Sequence, residues 1–218
     1  MKGKLYLIGG GEIRLGDTQL IDAEIMQLAE LGATMTFFAT AASDSKSYIQ
    51  AIREVYGQRY TILTPTLKSG KKYAHSAIKQ ASVIYLGGGD ADKLMDLFAK
   101  WQLEKTLRYA YENGTHVIGM SAGAQALSRF YFSSISMPNE LQTGWAWLPM
   151  TTLVHAQHET VARAKTSLEN TEENSKWPLI AIGEKTALRI NGKKHDKIGS
   201  GPLWKQARPG AKLENIVA

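Results

Sequence analysis

The chain has 218 residues, 44% hydrophobic and 21% charged, a composition that suits a folded domain with a substantial core and argues against disorder. It contains no cysteine, which excludes a disulfide framework, a thiolate metal site and a cysteine nucleophile, and fits a reducing compartment. The formal charge is +6, but the lysines (Lys68, Lys71, Lys72, Lys193, Lys194 and Lys205 among them) are scattered, without an aromatic-interleaved basic stripe, so a solvated surface is expected and no nucleic acid.

In chain order, residues 5–8 read as a short apolar strand closed by Gly9, Gly10 and Gly11. The apolar region there is too short for a signal peptide, and no run reaches transmembrane length, so a cytoplasmic protein without membrane contact is expected. A helix over residues 19–31 places Leu20, Ile21, Ile25, Leu28 and Leu31 on one face. Residues 34–39 form the next strand, 48–56 a helix, 60–63 a strand and 71–80 a helix. Residues 82–86 form a fourth strand, closed by Gly87, Gly88 and Gly89, and Asp90 caps a helix carrying Leu94, Leu97 and Phe98. A further helix covers 103–112, and Gly114 resets the chain for a strand beginning near His116. Strands alternating with helices at this spacing predict a parallel sheet covered on both faces. After Phe130 shorter strands follow at 151–154, 179–182, 187–190 and 197–199. No repeat, low-complexity stretch or linker interrupts the chain, so residues 1–218 read as a single domain.

The most informative stretch is Gly119-Met120-Ser121-Ala122-Gly123, which matches the nucleophile-elbow pattern G-x-S-x-G. Val117 and Ile118 suit a buried parallel strand, and the run from Ala122 to Arg129 favours helix. A sharp turn between them exposes the serine hydroxyl at the carboxyl end of the sheet and aims the first helical amides at whatever it attacks. The two glycine triplets tempt one toward nucleotide binding, yet neither completes G-x-G-x-x-G, and neither leads into Gly-Lys-Ser/Thr, so no cofactor is expected. Gly87–Gly89 makes better sense as a donor loop, with the amides of Gly88 and Ala122 holding an oxyanion.

Of the five histidines, His116 lies at the far end of the elbow strand, His75 in a helix and His195 in a lysine-rich turn. His155 and His158 follow the strand at 151–154, but His155-Ala-Gln-His158-Glu159 is neither H-E-x-x-H nor H-x-x-E-H, so no metal site is expected. His155, directly after a strand end, is the better general base.

These motifs resemble the serine peptidases that include dipeptidase E and cyanophycinase, which are similar to class I glutamine amidotransferase domains with serine in place of the nucleophilic cysteine. The resemblance covers most of the chain. It rests on the strand and loop at 7–12, the Thr-Ala-Ala-Ser loop at 40–43, the glycine loop at 85–90 and the elbow at 119–124. It extends to Gly144-Trp145-Ala146-Trp147-Leu148-Pro149 with His155 six residues beyond the proline, and to Ile182-Gly183-Glu184-Lys185-Thr186-Ala187-Leu188. It implies an α/β fold: a single-domain three-layer sandwich with a mostly parallel sheet, class I glutamine amidotransferase-like (flavodoxin-like). It also implies Ser121 as nucleophile and His155 as base. In dipeptidase E the acid resembles an aspartate just before Met-Pro, where this chain has Ser136 before Met137 and Pro138; cyanophycinase-like members use the later glutamate, Glu184 here. A carboxylate on the second ring nitrogen of the base fixes its tautomer. Arg163, shortly after the histidine, is the cation the resemblance offers for a substrate carboxylate, while Trp145 and Trp147 suit core and pocket wall equally.

The expectation is therefore a serine exopeptidase of small peptides, acting through a Ser-His-Glu triad and an acyl-enzyme, as a monomer or homodimer. A cyanophycinase-like exopeptidase and a non-enzymatic amidotransferase-like binding protein are the alternatives. An ordinary α/β-hydrolase esterase would place its acid before its histidine, the reverse of the order here.

Overall fold

The computed structural model describes residues 1–133, 140–169 and 177–216. The strands are β1 (Leu5–Ile8), β2 (Thr34–Phe38), β3 (Thr61–Leu63), β4 (Val83–Leu86), β5 (His116–Met120), β6 (Ser128–Phe132), β7 (Leu141–Thr143), β8 (Leu148–Leu153), β9 (Leu179–Ile182), β10 (Thr186–Asn191), β11 (Lys194–Gly199), β12 (Leu203–Gln206) and β13 (Leu213–Asn215). The helices are α1 (Gln19–Ile25), α2 (Lys46–Tyr56), α3 (Gly70–Gln80), α4 (Ala91–Trp101), α5 (Leu103–Glu112), α6 (Ala122–Leu127) and α7 (His158–Glu169).

The first sheet has the order β11-β10-β1-β5-β4-β2-β3. Its five strands from β1 to β3 are parallel, and β10 and β11 add an antiparallel hairpin against β1. Side chains along each strand alternate between faces. Leu5, Leu7, Ile84, Leu86 and Val117 join one buried cluster with α3, α4, α5 and α6. Tyr6, Ile8, Val83, Tyr85, Ile118 and Met120 join another with α1 and α2. The near-continuous apolar strands of the sequence are thus the middle of a three-layer α/β sandwich, covered on both faces as a parallel sheet requires.

A second sheet, β13-β12-β9-β8-β6-β7, went unseen in the sequence as a separate layer. It packs through Tyr131, Met150, Val154, Ile180 and Ile182 into the same cluster as α6, and α7 covers its other face through Val161, Ala164 and Leu168. Residues 122–129 were expected to be helical throughout, but α6 stops at Leu127. The Ser128 hydroxyl donates 2.9 Å to the Ala124 carbonyl, and the aromatic run Phe130-Tyr131-Phe132 that follows fits a half-buried strand better than a helix.

Helix α1 is also shorter than the expected 19–31. Ile21 and Ile25 are buried, whereas Leu20 and Leu31 are 65% and 70% exposed, so the apolar stripe spans only two turns. β9 leaves the second sheet at Ile182, and after three intervening residues β10 enters the first, so residues 183–185 cross between the two layers.

Because β10 carries that crossing, its core contact is expected to matter. Leu188 is buried on β10 opposite Leu7. Leu188→Ala should lower unfolding free energy by about 2–5 kcal/mol in urea titrations, the range for truncating a buried leucine. A loss below about 1 kcal/mol would contradict tight packing of β10 on β1.

Candidate active site

The elbow at the end of β5 is strained. Ser121 has φ 48° and ψ −103°, a conformation a non-glycine residue adopts at a cost of about 1–3 kcal/mol. Its neighbours show why the flanking positions are glycine. A Cβ on Gly119 would overlap the Gly123 backbone, and one on Gly123 would overlap the Leu86 carbonyl. Only glycine at both lets α6 start directly over the ends of β4 and β5.

His155 and Glu184 reach Ser121 from the second sheet. β8 and β9 are parallel neighbours, with Leu153 opposite Ala181, so both strands deliver their following residues to one edge. The Ser121 Oγ lies 2.7 Å from His155 Nε2, and His155 Nδ1 is bonded to Glu184 Oε1. A carboxylate only accepts, so Nδ1 carries the ring proton, and the bare Nε2 accepts from the serine hydroxyl. His155 (φ 51°) and Lys185 (φ 59°), which follows Glu184, both sit in the left-handed region, so each turn is tight. The Glu184 side chain is 48% exposed and stays hydrated on its outer side.

The glycine loop after β1 holds this arrangement together. The Ile8, Gly9 and Gly10 carbonyls accept in turn from the amides of Ser121 (2.9 Å), His155 (3.0 Å) and Lys185 (3.0 Å). A Cβ on Gly10 would overlap both Glu184 Oε2 and His155 Nδ1, so the His–Glu pair lies directly on the bare backbone of this residue.

A cavity of about 280 Å³ opens beside Ser121 and His155, lined also by Glu12, Arg14, Tyr48 and Gly88. Arg14 is held bidentately by Glu12, with Nε to Oε1 at 2.9 Å and Nη2 to Oε2 at 2.7 Å, and the guanidinium keeps the Glu12 carboxyl below the usual carboxylate range. A second cavity of about 310 Å³ lies on the other side of Ser121, with Asp90, Asp92, Gln125 and Tyr131 in its wall. Gly88 stands against Ser121, but its amide donates to the Tyr48 hydroxyl at 3.3 Å. Ala122 occupies the first position of α6, where a backbone amide has no intrahelical acceptor.

Of the residues singled out in the sequence, Ser121, His155 and Glu184 come together, with Gly88 and Ala122 adjacent. Arg163 does not join them: it is exposed on α7 and does not line the cavity, where the arginine is Arg14. Ser136 lies outside the described residues. His116 accepts from the Lys4 amide at the opposite end of β5, and His75 bridges Thr106 and the Trp101 carbonyl. Trp145 and Trp147 stack with Phe98 and Tyr111 on α4 and α5, away from the cavity. Glu12, Arg14 and Tyr48 had no motif to mark them. Among the described residues no group of three or more His, Asp or Glu is placed to hold a metal ion, and no helix is long and apolar enough to cross a membrane.

The model of Peptidase family S51 matches residues 5–198 of the chain. The uncharacterized peptidase YgaJ of Bacillus subtilis (strain 168) is 33% identical over 128 residues, which are 57% of this chain and 55% of that protein. The chain thus matches about half the length of that curated relative. The crystal structure of a peptidase from an acI-B1 Actinobacterium superposes with a TM-score of 0.70 at 20% identity, covering 100% of this chain and 95% of that one. A putative peptidase E protein from Listeria monocytogenes EGD-e gives a TM-score of 0.68 at 17% identity, covering 92% and 100%. At these identities the likeness to both structures is one of fold.

The packing at Gly10 separates stability from reactivity. The atoms that an added methyl would meet are the ends of two side chains, which can swing away at little cost to the fold, but only by breaking their mutual bond. Gly10→Ala is expected to keep its melting temperature within a few degrees while Ser121 reacts at least about a hundredfold more slowly with a fluorophosphonate, the scale of losing a positioned general base. Wild-type reactivity in that variant would mean the pair does not depend on this contact.

Proposed function

The chain belongs to peptidase family S51, and from that premise we propose that it is a serine-type peptidase that hydrolyses dipeptides or short peptides through Ser121, His155 and Glu184. The observation that carries this reading is the continuous hydrogen-bonded line from the strained Ser121 through His155 to Glu184, assembled at strand ends beside an open cavity. Residues that follow strands of both sheets contribute to it.

In this mechanism Ser121 Oγ attacks the scissile carbonyl as its proton passes to His155 Nε2. The carbonyl π pair moves onto oxygen, where preorganised donors, the Ala122 amide among them, meet the developing charge. Glu184 holds the Nδ1 proton and stabilises the imidazolium. When the C–N bond breaks, His155 returns the proton to the leaving amine, and water repeats the sequence on the acyl-enzyme. The strained elbow suits this role because it presents Oγ to the cavity while the Ser121 amide is tied to Ile8.

A cavity of about 280 Å³ accommodates a short peptide rather than a folded chain, which supports small substrates. Arg14 is already neutralised by Glu12, so the cavity does not present a bare cation.

Fluorophosphonate labelling is expected to occur at Ser121 and to disappear in Ser121→Ala, with hydrolysis reduced by several orders of magnitude. Glu184→Gln should remain folded yet lose on the order of ten-thousandfold in kcat, the cost of the wrong tautomer in a Ser-His-Asp protease. Stoichiometric labelling that persists in Ser121→Ala would overturn the reading, and a fully active Glu184→Gln would remove Glu184 from it.

A further inference from the structure

Tyr48, in the first turn of α2, has no part in the mechanism so far. Its ring stands edge-on to Phe37, with centroids 5.0 Å apart and planes at 71°. It passes Gly87 so closely that a Cβ there would lie 3.0 Å from Tyr48 Cε1. This glycine lets the phenol reach the next peptide, where the Gly88 amide donates to its oxygen at 3.3 Å. Gly88 in turn abuts the nucleophile, since a Cβ on it would stand 3.4 Å from Ser121 Cβ. Tyr48 and Ser121 line the same cavity.

A phenol has one proton to donate and two lone pairs to accept with. Gly88 N–H fills one lone pair of Tyr48. The buried Tyr85 side chain is a neighbour of the phenol. The Gly88 bond uses a lone pair and not the proton, and the phenol stands in the cavity wall beside Ser121, where its O–H can face the cavity. Burial outweighs this bond and pushes the phenol up to about 12, so the proton stays in place at neutral pH. The same geometry commits the Gly88 amide to Tyr48, which removes it as a free donor for an oxyanion.

We propose that the Tyr48 hydroxyl is the second oxyanion donor, acting beside the Ala122 amide in the place that sequence reasoning gave to Gly88. This rests on the peptidase reading with Ser121 as nucleophile. As the Ser121 Oγ–C bond forms and the serine proton moves to His155, the carbonyl electron pair shifts to oxygen, which accepts from Tyr48 O–H. Tyr48 keeps its proton throughout, and the bond weakens again when the C–N bond breaks and the carbonyl reforms. Donation from the Gly88 amide into the phenol oxygen polarises its O–H and strengthens it as a donor.

A fluorophosphonate tests this without a known substrate, because its phosphoryl oxygen takes the oxyanion position when Ser121 is phosphonylated. In Tyr48→Phe the maximal phosphonylation rate should fall about 10²–10³-fold, the cost of one oxyanion donor, while the probe concentration giving half that rate is unchanged. Replacement of Tyr48 by p-aminophenylalanine keeps the ring and one weaker donor, and should give an intermediate rate even where Tyr48→Phe folds poorly. Tyr48→Phe or the amino variant reacting at the wild-type rate, or a loss confined to probe binding, would overturn the proposal. Failure of the wild-type protein to label at Ser121 would overturn the peptidase reading instead.

Discussion

Three consecutive carbonyls, those of Ile8, Gly9 and Gly10, hold the whole arrangement in register. They accept from the amides of Ser121, His155 and Lys185, three residues from distant parts of the chain. A backbone carbonyl at a strand end is a rigid reference, because its strand is tied on both sides: β1 pairs with β5 and with β10. The spacing of Ser121, His155 and Glu184 is therefore set by the peptide repeat of one short loop. Glycine at position 10 is part of the device, since any side chain would occupy the place of the His–Glu pair.

Strain at the site is concentrated where those bonds are made. Ser121, His155 and Lys185 all have positive φ, each at a cost of about 1–3 kcal/mol. The surrounding packing sustains them. β1, β4 and β5 are buried along their apolar residues, and α6 is enclosed between the two sheets with all six of its residues buried. An elbow on an exposed strand could relax, whereas this one has no room to do so. The same enclosure explains how the second sheet comes to face the elbow although it lies beyond the parallel core.

Asp22 is buried in α1, where Thr18 Oγ1 donates to it at 2.8 Å and the Tyr56 hydroxyl donates as well, and burial raises its carboxyl above the ordinary range. Tyr85 lies between this group and Tyr48, with its ring 6.1 Å from that of Tyr56 and 5.7 Å from that of Phe37. On this side of the first sheet Tyr6, Tyr56 and Tyr85 thus combine aromatic bulk with hydroxyls that need partners: Tyr6 donates to Glu24 and Tyr56 to Asp22. On the outer edge, Arg189 binds Asp196 at 2.8 Å and also pairs with Glu24, joining β10, β11 and α1 beside the crossing that carries Glu184.

The local pattern of the chain determined much of this on its own. Short apolar runs ended by glycine specify buried parallel strands, and G-x-S-x-G specifies the elbow, because both depend on residues within a few positions of one another. The second sheet was not legible as a layer. Its strands are short, several are antiparallel edges, and Phe130-Tyr131-Phe132 follows a helical run without a break, so periodicity had too few residues to work on. Ser121, His155 and Glu184 could be singled out by residue type and by their places after strands, but their meeting depends on β8 and β9 lying side by side and on the loop after β1. Glu12, Arg14 and Tyr48 enter the cavity only through tertiary packing, and Tyr48 in particular looks like any core aromatic until Gly87 lets it through. Side-chain chemistry was fixed residue by residue, whereas which hydroxyl, amide or carboxylate faces another was decided by long-range strand order, which no local window contains.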